Sequence, residues 1–534
     1  MRVVDAIASA LAREGVTHLF GVPGGGTSLD LIEACGACGI RFVLTRTETG
    51  AVIMAAAMAE LTGSIGAALA TQGPGTACAV NGVAQAWLDK ASVVLLTDGW
   101  SDDQAPHDSH QRYDQQSLLR QIVKGGSRLN GDAPAAELEK LLSRCRLAPN
   151  GPVYIELTRD VANRETEAPL AGASVVDADP LPIQEAAVAR SLLAGAKRPV
   201  IVAGLEARSA ETAAALSRLA ETLRCPVLTT YKAKGALPST HPQFVGLFTG
   251  GALESRCVSK ADLIVLVGFD PVELIGKPWP YSAPVLDVGP VTYDRHYVTP
   301  AATLRARTDL ALTLLAENVA PSMWTADEVA ALKAGMGAAL DLQPGTEGLT
   351  PVEVVKTVRE ELMGSRARAT VDAGAHMFSA MAYWDVDGPN EILISNGLST
   401  MGFALPAAIA AGLQDSTRPA VCLTGDGGLL MCAGELATLA ETRSKVICIV
   451  FNDKGLSLIE LKQRARQMQP GNLRWRAVDF AAMAHGIGLA AARATTVEEL
   501  RAALRRAQDE PGPFLIDVAV DPEGYDFQST VLRG

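Results

Sequence analysis

Pro419-Ala420-Val421-Cys422-Leu423-Thr424-Gly425-Asp426-Gly427-Gly428, answered downstream by Val446-Ile447-Cys448-Ile449-Val450-Phe451-Asn452-Asp453, decides the architecture of this chain. The apolar run Pro419 to Leu423 predicts a strand. Gly428 to Arg443 predicts a helix with Leu429, Leu430, Leu436 and Leu439 on one apolar face. Val446 to Phe451 predicts the next strand. Asp426 and Asp453 then stand at the carboxyl ends of neighbouring strands in a β-α-β unit, the edge where open α/β sheets bind ligands. The glycines let backbone approach a phosphate, and the helix start behind them supplies free N–H groups and a positive dipole end. Two carboxylates plus a carbonyl are hard oxygen ligands suited to Mg²⁺ or Ca²⁺. The local reading is a metal bridging a diphosphate.

The paired motif resembles the diphosphate-Mg²⁺ motif of thiamine-diphosphate enzymes, which opens on Gly-Asp-Gly and closes on Asn-Asn. This chain has Asp453 in place of the second Asn, which keeps an oxygen ligand and adds a negative charge. Further upstream stand His18-Leu19-Phe20-Gly21-Val22-Pro23-Gly24-Gly25-Gly26, Leu44-Thr45-Arg46-Thr47-Glu48-Thr49-Gly50-Ala51 and Thr71-Gln72-Gly73-Pro74-Gly75-Thr76. Together they resemble the pyrimidine-binding domain of the acetohydroxyacid synthase, pyruvate oxidase and benzoylformate decarboxylase group. The resemblance implies that Glu48 is the catalytic carboxylate, hydrogen-bonded to N1′ of the cofactor's aminopyrimidine and sharing a proton with it. Ser395 to Pro406 is similar to the segment that bends the cofactor into a V, with Met401 as the wedge between its rings. The Ser399 carbonyl and Met401 N–H would hold the aminopyrimidine edge. Asp372-Ala373-Gly374-Ala375-His376 is similar to a second diphosphate loop, carrying Ala375 and His376. The diphosphate side is completed by Gly425, Asp426, Gly427, Gly428, Asp453, Gly455 and Leu456, with Asp426, Asp453 and Gly455 on the metal.

The 534 residues suffice for three domains of ordinary size. Strands expected at Ala67–Thr71, Val93–Thr97 and Val153–Leu157 place an α/β domain over residues 1–163. Strands at Val200–Ala203 and Leu263–Gly268 place a second over 184–318. Residues 350–534 form the third, closed by a strand from Phe514 to Val520. Glu165 to Pro182 and a polar stretch up to Gly348 are expected to be linkers. By resemblance these are three doubly wound α/β domains of the thiamine-diphosphate-binding fold: pyrimidine-binding, central and diphosphate-binding.

Hydrophobic residues make up 48% of the chain and charged ones 20%, the balance of a globular protein with a large core. A net charge of −12 without a basic stripe argues against a nucleic-acid surface. No apolar run is long enough to span a membrane. The chain opens on an amphipathic helix through Val4, Ile7 and Leu11 rather than a signal peptide. Nine scattered cysteines point to reduced thiols in the cytoplasm. Cys35 and Cys38 are expected to be buried small hydrophobes near a helix end.

On the substrate side the resemblance points to Gly25, His110, Gln111, Leu458 and Ile459. Aldehyde-releasing decarboxylases often carry His-His where this chain has His110-Gln111, and carboligases an apolar residue followed by Gln. Pyruvate decarboxylases place a proton-handling Glu where Ile459 stands; Glu460 follows one residue later, rotated ~100° around a helix. An apolar Leu458/Ile459 face favours carboligation over simple aldehyde release. The flavin-binding relatives use a Gly-rich turn and an Arg-containing loop in the central domain. This chain has Ala203-Gly204-Leu205-Glu206-Ala207 and Gly268-Phe269-Asp270-Pro271-Val272-Glu273 there, so FAD does not carry over. The chain ends soon after its last expected strand, which suggests an open site without a long lid.

The resemblance thus implies thiamine diphosphate and Mg²⁺, and a homo-oligomer (dimer or tetramer) with its active site across the dimer interface. The leading reaction is decarboxylation of a 2-oxo acid followed by carboligation, acetolactate-synthase-like. The alternatives are a 2-oxo acid decarboxylase, a 2-hydroxyacyl-CoA or acyloin lyase, and a non-catalytic paralogue, against which Glu48, Asp426 and Met401 speak.

Overall fold

The computed structural model describes every residue except 102, 104–106, 169–180, 277, 342–347, 470 and 534. Most of the expected linker from Glu165 to Pro182, and the end of the one before Gly348, therefore lie outside the described residues.

Three six-stranded parallel sheets follow one another along the chain, each flanked by helices. Across the first, the strands run Arg41–Leu44, His18–Val22, Gly66–Ala70, Val93–Asp98, Val153–Leu157 and Gly126–Ser127. Across the second they run Ala302–Arg305, Val285–Gly289, Leu263–Val267, Pro199–Ala203, Val227–Thr229 and Phe244–Leu247. The third runs Ile392–Ile394, Arg368–Val371, Ala420–Gly425, Val446–Asn452, Phe514–Ala519 and Ala490–Ala494. Central strands such as Val93–Asp98 and Val446–Asn452 are buried on both faces, which is why they read as unbroken apolar runs rather than alternating ones.

The first and third sheets share one strand order: second, first, third, fourth, sixth, fifth in sequence. Connections leave in opposite directions between the first and third strands of such a sheet. This opens a crevice at their carboxyl ends. In the third sheet that switch point lies between Val371 and Gly425.

The two sheets are joined through Ala-rich helices. Glu48–Thr62 packs against Ala404–Gln414, and Ala51, Ala55, Ala404 and Ala408 belong to a single core cluster. The alanines let the two backbones approach closely, and consecutive residues of both helices are buried, so neither shows a polar stripe.

Three local expectations need correction. The helix expected from Gly428 to Arg443 is two helices, Asp426–Cys432 and Glu435–Thr442, broken at Ala433-Gly434. The break brings Gly434 against the Arg46 side chain, closer than a larger residue would permit without the neighbour yielding. Leu430 is 39% exposed and so leaves the apolar face that Leu429, Leu436 and Leu439 form. Cys35 is buried, but Cys38, just past the helix Thr27–Ala37, is exposed. All nine cysteines are free thiols.

After the last strand the chain continues as a helix, Gly524–Arg533, packed on the helices His376–Tyr383 and Ser457–Ala465. Among the described residues no helix is long and apolar enough to cross a membrane.

Candidate active site

A pocket of about 320 Å³ opens at the switch point of the third sheet. Loops after three strands line it: Ala373 to Met377, Gly425 to Gly428, and Asp453 with Gly455 to Ile459. Ser399 and Met401 form another wall, and Ile275, Phe451, Lys462 and Tyr525 complete the lining. The folding thus gathers Ala375, His376, Ser399, Met401, Gly425, Asp426, Gly427, Gly428, Asp453, Gly455, Leu456, Leu458 and Ile459 around one cavity. Glu48, Gly25, His110 and Gln111 lie outside its lining.

Asp426 opens its helix at the end of a strand and is 2% exposed. One carboxylate oxygen accepts the Gly427 N–H at 2.8 Å, while Oδ2 is buried with no hydrogen-bond partner. Oδ1 of Asp453 is likewise buried and unpartnered. Burial pushes Asp426 up to about 6. Burial, then the charge of Asp426, pushes Asp453 up to about 7. Two mutually repelling carboxylates with orphaned oxygens are costly unless a cation joins them. The all-oxygen donor set fits Mg²⁺, which commonly uses one or two carboxylates and takes its remaining ligands from phosphate and water. Among the described residues no cluster of three or more His, Cys, Asp or Glu offers a self-sufficient metal cage.

His376 is buried, stacks on Phe451 with ring centroids 5.0 Å apart, and leaves Nε2 without a partner. Burial lowers it to about 4, so the ring is neutral at physiological pH. The wall carrying Met401 is fixed by Asp372, whose carboxylate accepts the N–H groups of Gly402 (2.9 Å) and Phe403 (3.2 Å) and the Thr424 hydroxyl (2.8 Å). Gly428 must be glycine because any Cβ there would collide with that carboxylate. Trp475 reaches over Gly427 from a segment whose Leu473 carbonyl accepts the Leu456 N–H at 2.9 Å. Tyr525, on the C-terminal helix, is 1% exposed and closes one end of the pocket. The expectation of an open site without a C-terminal cover is modified to that extent.

On the helix Ser457–Ala465, Leu458 and Ile459 face the cavity. Glu460 turns away to pair with Arg464 (3.1 Å) and Arg474 (2.6 Å).

Glu48 starts the helix capped by the Thr47 hydroxyl, which accepts the Gly50 N–H at 2.9 Å. Its carboxyl is half-buried and raised above the ordinary carboxylate range, by burial first and by Glu435 as well. It lies beside Gly75, at the start of the helix Pro74–Leu88. Gln111, in a left-handed conformation (φ 58°), packs against Gly73, and the Tyr113 hydroxyl donates to the Gly73 carbonyl at 2.7 Å. His110 and Gln111 are exposed, as is Gly25 on the loop after His18–Val22. These groups share the carboxyl edge of the first sheet rather than the pocket of the third.

The corresponding edge of the central sheet borders a cavity of about 270 Å³ lined by Leu205, Glu206, Lys90 and Arg208, whose two cations are already paired with carboxylates. Glu273 is buried and accepts the Leu205 N–H at 2.7 Å and the Thr230 hydroxyl. Gly204 packs directly on the Phe269 backbone. Glu206, pushed up to about 7 by burial, accepts from the Tyr293 hydroxyl at 3.1 Å, and Asp270 pairs with Lys90 at 3.4 Å. A dinucleotide's diphosphate needs free N–H groups and positive charge. Here an internal carboxylate already occupies an N–H, and two more stand nearby, so these residues do not fit FAD.

Sequence reasoning missed Glu435, Lys462, Trp475 and Tyr525, and assigned no role to the Asp372 side chain. None carries a local signal; each matters through a contact made by folding.

Three family models match in order along the chain. They are the thiamine pyrophosphate enzyme N-terminal TPP binding domain (residues 1–118), central domain (186–314) and C-terminal TPP binding domain (372–518). Among curated proteins, the catabolic acetolactate synthase of Raoultella terrigena is 28% identical, over 97% of this chain and 94% of that protein. The acetolactate synthase isozyme 1 large subunit of Escherichia coli is 29% identical over the same shares. The acetolactate synthase of Bacillus subtilis is 26% identical over 97% and 93%.

Proposed function

Because the chain belongs to the thiamine pyrophosphate enzymes, with all three of their domains in order, we propose that it decarboxylates a 2-oxo acid and ligates the remaining fragment to a second carbonyl compound, in the manner of an acetolactate synthase. The observation that carries this reading is the pocket in which Asp426, Asp453 and the Met401 wall converge. Bound thiamine diphosphate supplies a nucleophilic carbon and a sink for the electrons released on C–C cleavage.

The chain's own residues have separable tasks. Asp426, Asp453 and the Gly455 carbonyl would hold Mg²⁺ beside the diphosphate. Ala375, His376 and the backbone of Gly427, Gly428 and Leu456 line the anchoring side. Met401 sets the bend, with the Ser399 carbonyl at the aminopyrimidine edge. Glu48 holds a proton at N1′, and its raised pKa suits a group that must share that proton rather than surrender it. Glu48 stands outside the pocket of its own chain, which supports an active homodimer or dimer of dimers in which a second copy would bring its Glu48 there. Gly25, His110 and Gln111 would arrive on the same edge.

Leu458 and Ile459 present an apolar wall that itself carries no proton donor, with Lys462 one turn further along the same helix at the pocket's lining. Such a wall delays protonation and leaves time for attack on a second carbonyl, which favours ligation. His110, on the edge that carries Glu48, is the observation that favours the second reading, an aldehyde-releasing decarboxylase. FAD has no part in either, given Glu273 and its neighbours. The nine free thiols support a reducing, cytoplasmic setting.

The test is a product assay with thiamine diphosphate and Mg²⁺, without FAD, on pyruvate and a panel of 2-oxo acids, read by NMR. Acetolactate-type products are expected. Free aldehyde alone would establish the second reading, and cofactor binding without turnover of any donor would overturn both.

A further inference from the structure

The wall that carries Met401, Asn396 to Phe403, is clamped at both ends by buried carboxylates. Asp372 holds Gly402 and Phe403 at one end. At the other, Asp89, just past the helix Pro74–Leu88 and fully buried, accepts the N–H groups of Asn396 (3.2 Å) and Gly397 (2.8 Å) through Oδ1. Its Oδ2 accepts from Gln85 Nε2 at 2.9 Å and Lys232 Nζ at 3.4 Å.

Lys232 comes from the central domain, and its side chain is 1% exposed. It also donates to Glu60 Oε1 (2.8 Å) and to the carbonyl of Ile394 (2.7 Å), which ends the strand leading into the clamped segment. A second central-domain contact reaches the same place: Asn396 Nδ2 donates to the Glu273 carbonyl at 3.3 Å. Between the clamps the backbone is unusual. Ser399 lies in the left-handed region at φ 54°, uncommon for a residue with a side chain. Such a conformation persists only where its surroundings over-determine it. A buried ionic network adds little net stability, and its better-attested use is to fix one arrangement among several.

We infer that Asp89 and Lys232 are positioning residues. Through them the central domain sets the conformation of the Met401 wall and hence the bend in which thiamine diphosphate would be held. The inference rests on the role proposed for Met401, but the clamp itself is testable without cofactor.

The decisive variants are Asp89→Asn and Lys232→Met in the full-length protein. An asparagine has one acceptor oxygen, so it serves either the Asn396/Gly397 amides or the Gln85/Lys232 donors. Arg305→Met, which breaks the Arg305–Asp287 pair inside the central domain, is the control for general destabilisation. Hydrogen exchange of the ligand-free protein, followed on the peptide covering 396–403, should quicken about tenfold in both variants and not in the control. Thiamine diphosphate dissociation constants, from intrinsic fluorescence, should rise about tenfold. The kcat should fall while KM for the 2-oxo acid stays unchanged. Exchange and dissociation constants at wild-type values in Asp89→Asn would overturn the inference, as would an equal effect in Arg305→Met. If Lys232→Met does not fold, the near-isosteric Asp89→Asn decides alone. A protein that binds no thiamine diphosphate would defeat the proposed function, and the exchange measurement would still judge the clamp.

Discussion

The Glu435 carboxylate accepts both the amide N–H and the hydroxyl of Thr47, each at 2.9 Å, from a position 388 residues further along the chain. It also takes the Arg46 N–H at 3.1 Å and the Thr438 hydroxyl at 2.7 Å. The residue so anchored immediately precedes Glu48. The helix pair that follows the Gly425-Asp426-Gly427 turn therefore fixes the start of the Glu48 helix, and the break at Gly434 is what aims Glu435 there.

Glu435→Ala should cost on the order of 3 kcal/mol of stability, because it strands buried N–H groups. It should also slow turnover about 100-fold by letting Glu48 drift. Glu48→Gln should slow turnover at least as much with little loss of stability. Thermal melts and steady-state rates of the two variants separate the effects; a Glu435→Ala protein with normal turnover would show that Glu48 needs no such anchor.

Glu273 gives a pH signature. Burial raises it from 4.5 to about 8, so the folded chain keeps a proton that the unfolded chain has released. Its stabilising contribution is complete below the unfolded value and is lost as pH rises through about 8. The slope is ~1.4 kcal/mol per pH unit within that window. Glu273→Gln removes the slope, so its melting temperature should gain on the wild type steadily from about pH 5 to about 8 and level off above that. Parallel melting curves would mean that Glu273 is charged in the folded protein.

Removal of the metal should be felt as lost stability. Chelation of the holoprotein should lower its melting temperature and release the cofactor. In the metal-free protein, Asp453→Asn relieves the repulsion with Asp426 and should raise the melting temperature. Asp426→Ala should abolish cofactor retention. Unchanged melting on chelation would remove the case for a structural Mg²⁺.

Ile459→Glu puts a proton donor on the face that lines the pocket. The ratio of free aldehyde to ligated product should rise about tenfold or more, read by NMR on a single 2-oxo acid. An unchanged ratio would show that protonation is not controlled from this helix.

The sequence was most legible where a single local pattern carried both structure and chemistry. The apolar runs before Gly425 and Asn452 are strands because both faces are covered, and the turns after them carry their ligands on the spot. The break at Gly434 was hidden because the helical periodicity runs through it, and its contact with Arg46 is made across more than 380 residues of chain. Leu430 fits a helical stripe on paper, but the shortened helix turns it outward. Glu435, Asp89 and Tyr525 look like ordinary residues, since their partners lie far away in sequence. Cys38 is exposed with Gly36 and Ala37 at the end of its helix, which the sequence pattern did not separate from buried Cys35.

Glu48 and the Asp426 pocket of one chain do not meet. If each Glu48 serves the neighbouring copy, the heritable unit and the working unit differ. Two inactive alleles, one altered at Glu48 and the other at Asp426, would complement each other when expressed together. A mixed pair would assemble one intact centre and one doubly damaged one.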